Sequence, residues 1–81
     1  MKASVYVNLK KTVLDPQGKT ILSALHGLGY KSVDGVRQGK CFELELGTKL
    51  TAEQARAEVE RIAKDVLTNP VIEEFTFRLE E

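Results

Sequence analysis

The seven residues from Gly35 to Cys41, Gly-Val-Arg-Gln-Gly-Lys-Cys, come nearest in this chain to spelling out a chemistry. A glycine pair followed by lysine is how a phosphate-cradling loop begins. That loop needs four residues between its glycines, a Ser or Thr after the lysine, and a helix to follow. Here three residues separate the glycines, Cys41 follows Lys40, and the pattern beyond is that of a strand. Without a helix amino terminus to aim N–H groups at an anion, nucleotide binding is not expected at this loop.

The other reactive types are equally isolated. Glu73 and Glu74 could suggest a general acid and base, but adjacent residues of a strand face opposite sides and cannot flank one substrate atom. His26 is the only histidine, and no Asp, Cys or second His lies near it in sequence to make a metal site or a relay. Cys41 is the only cysteine, which rules out an intrachain disulfide and a cysteine zinc cluster. Alternation sends Lys40 to the face opposite Cys41, so no cation sits beside the thiol to activate it. Asp15-Pro16-Gln17-Gly18 reads as the start of a helix and not as a binding loop.

The residues suited to recognition form a different set. Arg37 and Lys40, on either side of Gly39, suit carboxylates on a partner. Tyr6 and Tyr30 have the amphipathic rings that anchor interfaces. Asn69 and Pro70 set the direction in which the last strand starts. Each of these residues also has a local structural reading.

The elements that must position them follow from periodicity. Lys2 to Lys10 alternates, with Ala3, Val5, Val7 and Leu9 on one side, which is the pattern of a half-buried strand. Asp15 as N-cap and Pro16 at the first helical position open a helix carrying Ile21, Leu22, Leu25 and Leu28, and Gly29 stops it. Between Gly29 and Gly47, the residues expected to face the core are Val33, Val36, Phe42, Leu44 and Leu46. The chain there either turns in a hairpin at Gln38-Gly39, the favoured reading, or runs on as one bent strand. Thr51 and Gln54 form a capping box for a second helix with an apolar stripe of Ala52, Ala55, Val59, Ile62, Ala63 and Val66. Pro70 closes that helix region, and Val71 to Leu79 reads as a final strand interrupted on its apolar side by Glu73.

At 81 residues, 42% apolar and 30% charged, the chain is expected to be one folded domain spanning residues 1–81, with a thin margin of stability. No apolar run approaches a membrane span, and the reading is a cytoplasmic protein. The net charge of zero conceals +5 on residues 1–40 and −5 on residues 41–81. That balance disfavours nucleic acid as a partner and suits protein contacts. The expected architecture is α+β: a two-layer sandwich of ferredoxin-like character, order β-α-β-(β)-α-β. Its antiparallel sheet has three to four strands, with both helices on one face.

The chain resembles the small PurS-type subunit of phosphoribosylformylglycinamidine synthase. The resemblance is carried by Val7-Asn8-Leu9-Lys10, Val13 through Gly18, Leu25 through Tyr30, Val36-Arg37-Gln38-Gly39-Lys40 and Leu67 through Glu73, and covers nearly the whole sequence. It implies a non-catalytic subunit of an ATP-dependent purine-biosynthetic complex, self-associated as a dimer or tetramer. Its partners would be a glutaminase subunit and a large synthetase subunit, with the small subunit bridging them and assisting ammonia transfer. ATP, magnesium and glutamine would be used by those partners, with no cofactor in this chain. Three other readings make different demands on the sequence. A stand-alone small-ligand regulatory domain needs a pocket with convergent polar groups. An RNA-binding sheet needs exposed aromatics beyond Tyr6. An acyl-phosphate hydrolase needs a phosphate loop where this chain has Lys11-Thr12-Val13-Leu14.

Overall fold

The computed structural model describes residues 1–47 and 49–80. The chain runs β1 (Lys2–Leu9), α1 (Pro16–Gly27), β2 (Gly39–Glu45), α2 (Ala52–Ile62) and β3 (Glu73–Glu80), and a π-helical turn (Ala63–Leu67) continues α2. β1 is the central strand, antiparallel to β2 on one edge and to β3 on the other. The pairing places Val5 between Phe42 and Phe77, Ala3 between Leu44 and Leu79, and Val7 between Lys40 and Phe75. Alternation therefore makes one inner face, apolar until Lys40 and Glu73 appear at its far end. The class, the element order and the antiparallel sheet are those expected from the sequence.

α2 covers this face. The fully enclosed side chains are Ala3, Val5 and Val7 from β1 with Ala55, Val59 and Ala63 from the helical layer. All six are small, which lets helix and sheet approach closely. Phe42, Leu44, Leu46, Leu67, Phe75, Phe77 and Leu79 pack around them but stay only partly buried. The capping box forms as expected: Thr51 Oγ1 accepts from the Gln54 N–H at 3.1 Å, and Gln54 Oε1 accepts from the Thr51 N–H at 3.0 Å.

Four expectations need correction. First, the apolar stripe of α2 does not run through Val66. The Thr68 N–H reaches back five residues to the Ala63 carbonyl at 3.0 Å, and the Thr68 hydroxyl donates to the same oxygen at 2.8 Å. This wider turn swings Val66 out to 73% exposure and brings Leu67 onto the core instead.

Second, Gln38-Gly39 is not a hairpin turn. Residues 33–38 have no regular secondary structure and lead directly into β2. Gly39 pairs with Asn8 in the sheet, and a side chain there would collide with Asn8 Oδ1 and the Val7 carbonyl. Third, β3 starts at Glu73 and not at Val71. The Asn69 carbonyl accepts from the Ile72 and Glu73 N–H groups, which turns the chain and leaves Val71 77% exposed.

Fourth, α1 does not join α2 on the sheet. Gly18 is its only buried residue, and none of its side chains belongs to the core. The radius of gyration is 16.2 Å, against about 12 Å for a compact domain of this length, and the molecule measures 51 × 26 × 14 Å. α1 and residues 28–38 form an arm that projects from the sheet. Val33 and Val36, half-buried, sit in this arm and not in the core.

Val59→Ala should cost about 2 kcal/mol, because it empties a fully enclosed position between helix and sheet. Denaturant unfolding followed by circular dichroism measures this. Leu28→Ala, at the exposed end of the arm, should leave the unfolding of the isolated chain within roughly 0.5 kcal/mol of the parent.

Candidate functional site

The root of the arm holds a cluster of polar contacts. Asp15 caps α1, its Oδ1 accepting from the Gly18 N–H at 2.9 Å. Its other oxygen accepts from the Gln38 N–H at 2.8 Å. One carboxylate thus joins the start of the helix to the segment entering β2. Asp15 is only 6% exposed. Its pKa lies below the ordinary carboxylate value, chiefly because of the Gln38 N–H, then the Gly18 N–H, helped by the positive charge of Arg37 and opposed by desolvation.

Arg37 completes the tie. Its Nη2 donates to the carbonyls of Lys10 at 2.9 Å and Leu9 at 3.2 Å, and its Nη1 to the Val13 carbonyl at 3.3 Å. A planar guanidinium can serve several diverging acceptors at once, which a lysine ammonium cannot do in the same geometry. Gly18 has no room for a side chain: a Cβ would strike the Val36 carbonyl and the Asp15 carboxylate. The two halves of the arm are thereby pinned side by side.

Beside this root lies a hollow of about 250 Å³, floored by Val7 and Leu9 and bordered by Asp15, Gln38, Lys40 and Glu73. Lys40 Nζ is 3.6 Å from Glu73 Oε2 and 5.7 Å from the centre of the Phe42 ring. Glu73 Oε1 also accepts from the Asn69 N–H at 2.7 Å. Among the described residues no buried polar side-chain atom lacks a partner, and no trio of His, Cys, Asp or Glu is placed to hold a metal ion. The hollow has charges, but they are occupied with one another.

The residues singled out in the sequence are thus scattered. Arg37 and Lys40 are both engaged within the chain, one with carbonyls and the other with Glu73. Gly39 makes the close crossing with Asn8 possible. Asn69 and Pro70 sit in the turn before β3, where Asn69 Oδ1 accepts from the Val71 N–H at 3.1 Å. Tyr6 stands on the outer sheet face, 41% exposed, between Cys41 and Thr76. Tyr30 is at the tip of the arm, 60% exposed, behind Gly29 at φ +100°. His26 Nε2 is 2.7 Å from the Val33 carbonyl and so carries the proton there, a brace within the arm. The sequence places Asp15 as the cap of α1 but not as the acceptor of the Gln38 N–H, and it does not pair Glu73 with Lys40. The only hint of Glu73 was its place on the apolar side of a strand.

No described helix is long and apolar enough to cross a membrane. Fold and site together define a small ferredoxin-like α+β protein with large apolar and amphipathic side chains left exposed. The model of the PurS family, phosphoribosylformylglycinamidine (FGAM) synthase, matches residues 2–81, and the chain belongs to that family. The PurS subunit of Bacillus subtilis is 39% identical over 84 residues, covering 99% of this chain and 93% of its own. The crystal structure of Methanocaldococcus jannaschii PurS, one of the subunits of formylglycinamide ribonucleotide amidotransferase, superposes with a TM-score of 0.88. It has 38% identity, and the match covers 99% and 95% of the two chains. A chain of the PurLQS structure from Thermotoga maritima matches with a TM-score of 0.86 and 32% identity, over 95% and 93%.

Two outcomes test the root. Folding binds the Asp15 proton less readily than the unfolded chain does, so its contribution is complete above about pH 4 and is lost as pH falls through that value to the lowered one. Asp15→Asn should therefore weaken protection of the Gln38 amide against hydrogen exchange at neutral pH, and the gap from the parent should close in acid. Arg37→Ala should loosen residues 10–15 in the same measurement, and Arg37→Lys should fail to restore them.

Proposed function

We propose that this chain is the non-catalytic small subunit of an ATP-dependent FGAM synthase in purine biosynthesis. It acts as a dimer that bridges the glutaminase and synthetase subunits and assists the passage of ammonia between them. The membership of this chain in the PurS family carries the reading. The PurLQS structure from Thermotoga maritima supports partnership with PurL and PurQ subunits, because a chain of the same fold is part of it.

The geometry is compatible with that role in a specific way. Catalysis of amidation needs a nucleotide cradle or an activated nucleophile, and the described residues offer recognition surfaces in their place. ATP, magnesium and glutamine then belong to the partner subunits. Ammonia crossing between two sites is lost to bulk water unless its path is enclosed, and an adaptor can enclose a path by shape alone. Tyr6, outward on the sheet, is the anchor we assign to contact with a partner subunit.

The experiment is reconstitution. Size-exclusion chromatography of this chain with the glutaminase and synthetase subunits should give one shared peak. Glutamine-dependent amidine formation should fall sharply when the chain is omitted, whereas synthesis from added ammonium salt should persist. Full glutamine-dependent activity in its absence would overturn the proposal. Tyr6→Ala should weaken assembly by about 1 kcal/mol or more in a titration, with an unchanged unfolding curve.

A further inference from the structure

One place in the arm is open to a reaction of the chain with itself. A backbone nitrogen can attack the side-chain carbonyl carbon of the Asp or Asn that precedes it, closing a succinimide ring. The nitrogen must carry a proton, be free of a hydrogen bond and have no bulky side chain beside it. Five residues could supply the carbon: Asn8, Asp15, Asp34, Asp65 and Asn69. Asp15 and Asn69 precede prolines, whose nitrogens have no proton to lose. Asn8 is fixed in the central strand, paired with Gly39 on one side and Glu74 on the other. Asp65 lies inside the π-helical turn and is followed by β-branched Val66.

Asp34 meets every condition. It precedes Gly35, both residues are exposed, and neither belongs to a helix or a strand. Among the described residues, the Gly35 N–H donates no backbone hydrogen bond and no cation pairs with the Asp34 carboxylate. The space beside Gly35 is open, with nothing within 4 Å of where a Cβ would stand.

We propose that Asp34-Gly35 is a modification site of the folded protein, where the peptide rearranges through a succinimide to an isoaspartyl linkage. The Gly35 nitrogen bonds to Asp34 Cγ, while its proton, one carboxylate oxygen and a proton from solvent leave as water. Water then reopens the ring. Attack at Cγ restores aspartate, whereas attack at the α-carbonyl leaves the backbone running through Cβ and Cγ with the α-carboxylate as the side chain. Standing on an exposed segment, that carboxylate is a substrate for a carboxyl methyltransferase that uses S-adenosylmethionine. The methyl group passes from the sulfonium sulfur to a carboxylate oxygen, and methanol leaves when the Gly35 nitrogen closes the ring again.

The position of this bond ties the change to the geometry of the arm. On one side the Val33 carbonyl accepts from His26 Nε2 at 2.7 Å. On the other, Arg37 holds the carbonyls of Leu9, Lys10 and Val13, and the Gln38 N–H donates to Asp15 at 2.8 Å. The isoaspartyl route inserts one carbon, about 1.5 Å of chain, between these ties. The Val36 carbonyl already rests against Gly18 with no room between them, so the added length works against the Gln38 tie.

The test keeps the parent chain at neutral pH in heavy-oxygen water, digests it in ordinary water, and locates label and isoaspartate by electron-transfer fragmentation. Tritiated S-adenosylmethionine with purified L-isoaspartyl methyltransferase counts the isoaspartyl groups. We expect label and methyl acceptance at Asp34, at a rate within roughly tenfold of that of the chain unfolded in urea, because the site is open in the native state. Asp34→Glu keeps the charge but needs a six-membered ring, and Gly35→Val fits the open space but shields the nitrogen. Each should lower the yield by on the order of tenfold with unchanged circular dichroism. The isoaspartyl fraction of the aged parent should exchange its Gln38 amide faster than the unmodified fraction. No label at Asp34, or suppression by roughly a hundredfold or more relative to the urea-unfolded chain, would overturn the site. An isoaspartyl fraction that keeps the parent's Gln38 exchange rate would overturn its effect on the arm.

Discussion

One carboxylate decides the shape of this molecule. Asp15 accepts from the first turn of α1 and from the residue that leads into β2, so helix and returning segment are fastened at their common root. With the three carbonyl contacts of Arg37 added, the returning segment cannot peel away to form a hairpin on its own sheet. The open edge of β2, the exposed stripe of α1 and the half-covered inner face all follow from that fastening. A buried, fully paired carboxylate is strong enough for this because each of its bonds is charge-assisted.

The same fastening explains why charged residues near the glycine pair are not free reagents. Arg37 is consumed by carbonyls, and Lys40 by Glu73 over the Phe42 ring. Both act on the protein's own geometry, so the large side chains left exposed are mostly apolar or amphipathic: Ile21 and Leu28 of the arm, Tyr30 and, on the outer face, Tyr6. This division suits the adaptor role proposed above. Rigid polar ties set the angle of the arm, and the exposed side chains need only match the surface they meet.

Much of the fold was legible because its signals are local. The alternation of Ala3, Val5 and Val7, the cap at Asp15, the glycine stop at Gly29 and the box at Thr51 and Gln54 each depend on a few neighbouring residues, and each is found where expected. What escaped was non-local. Nothing in Gly35-Val36-Arg37-Gln38 says that its backbone is held by a residue more than twenty positions earlier. The π turn escaped because its extra residue depends on the double hold of Thr68 on one carbonyl, and the helical spacing of Val66 was a sound reading of a regular helix. The recognition surface was half legible: Tyr6 and Tyr30 are exposed as their chemistry suggests, whereas the apolar side of α1 looked like ordinary core until the fold left it bare.

Among the described residues, six enclosed apolar side chains, none larger than valine, make up the sealed interior. So small a sealed interior sets little apolar burial against the conformational entropy that folding costs. Any association that covers the remaining apolar groups draws the chain toward its folded form by mass action. If the chain works as the dimer proposed above, dilution acts on it much as a mild denaturant does, and a cell making too little of it holds a disproportionately large share unfolded.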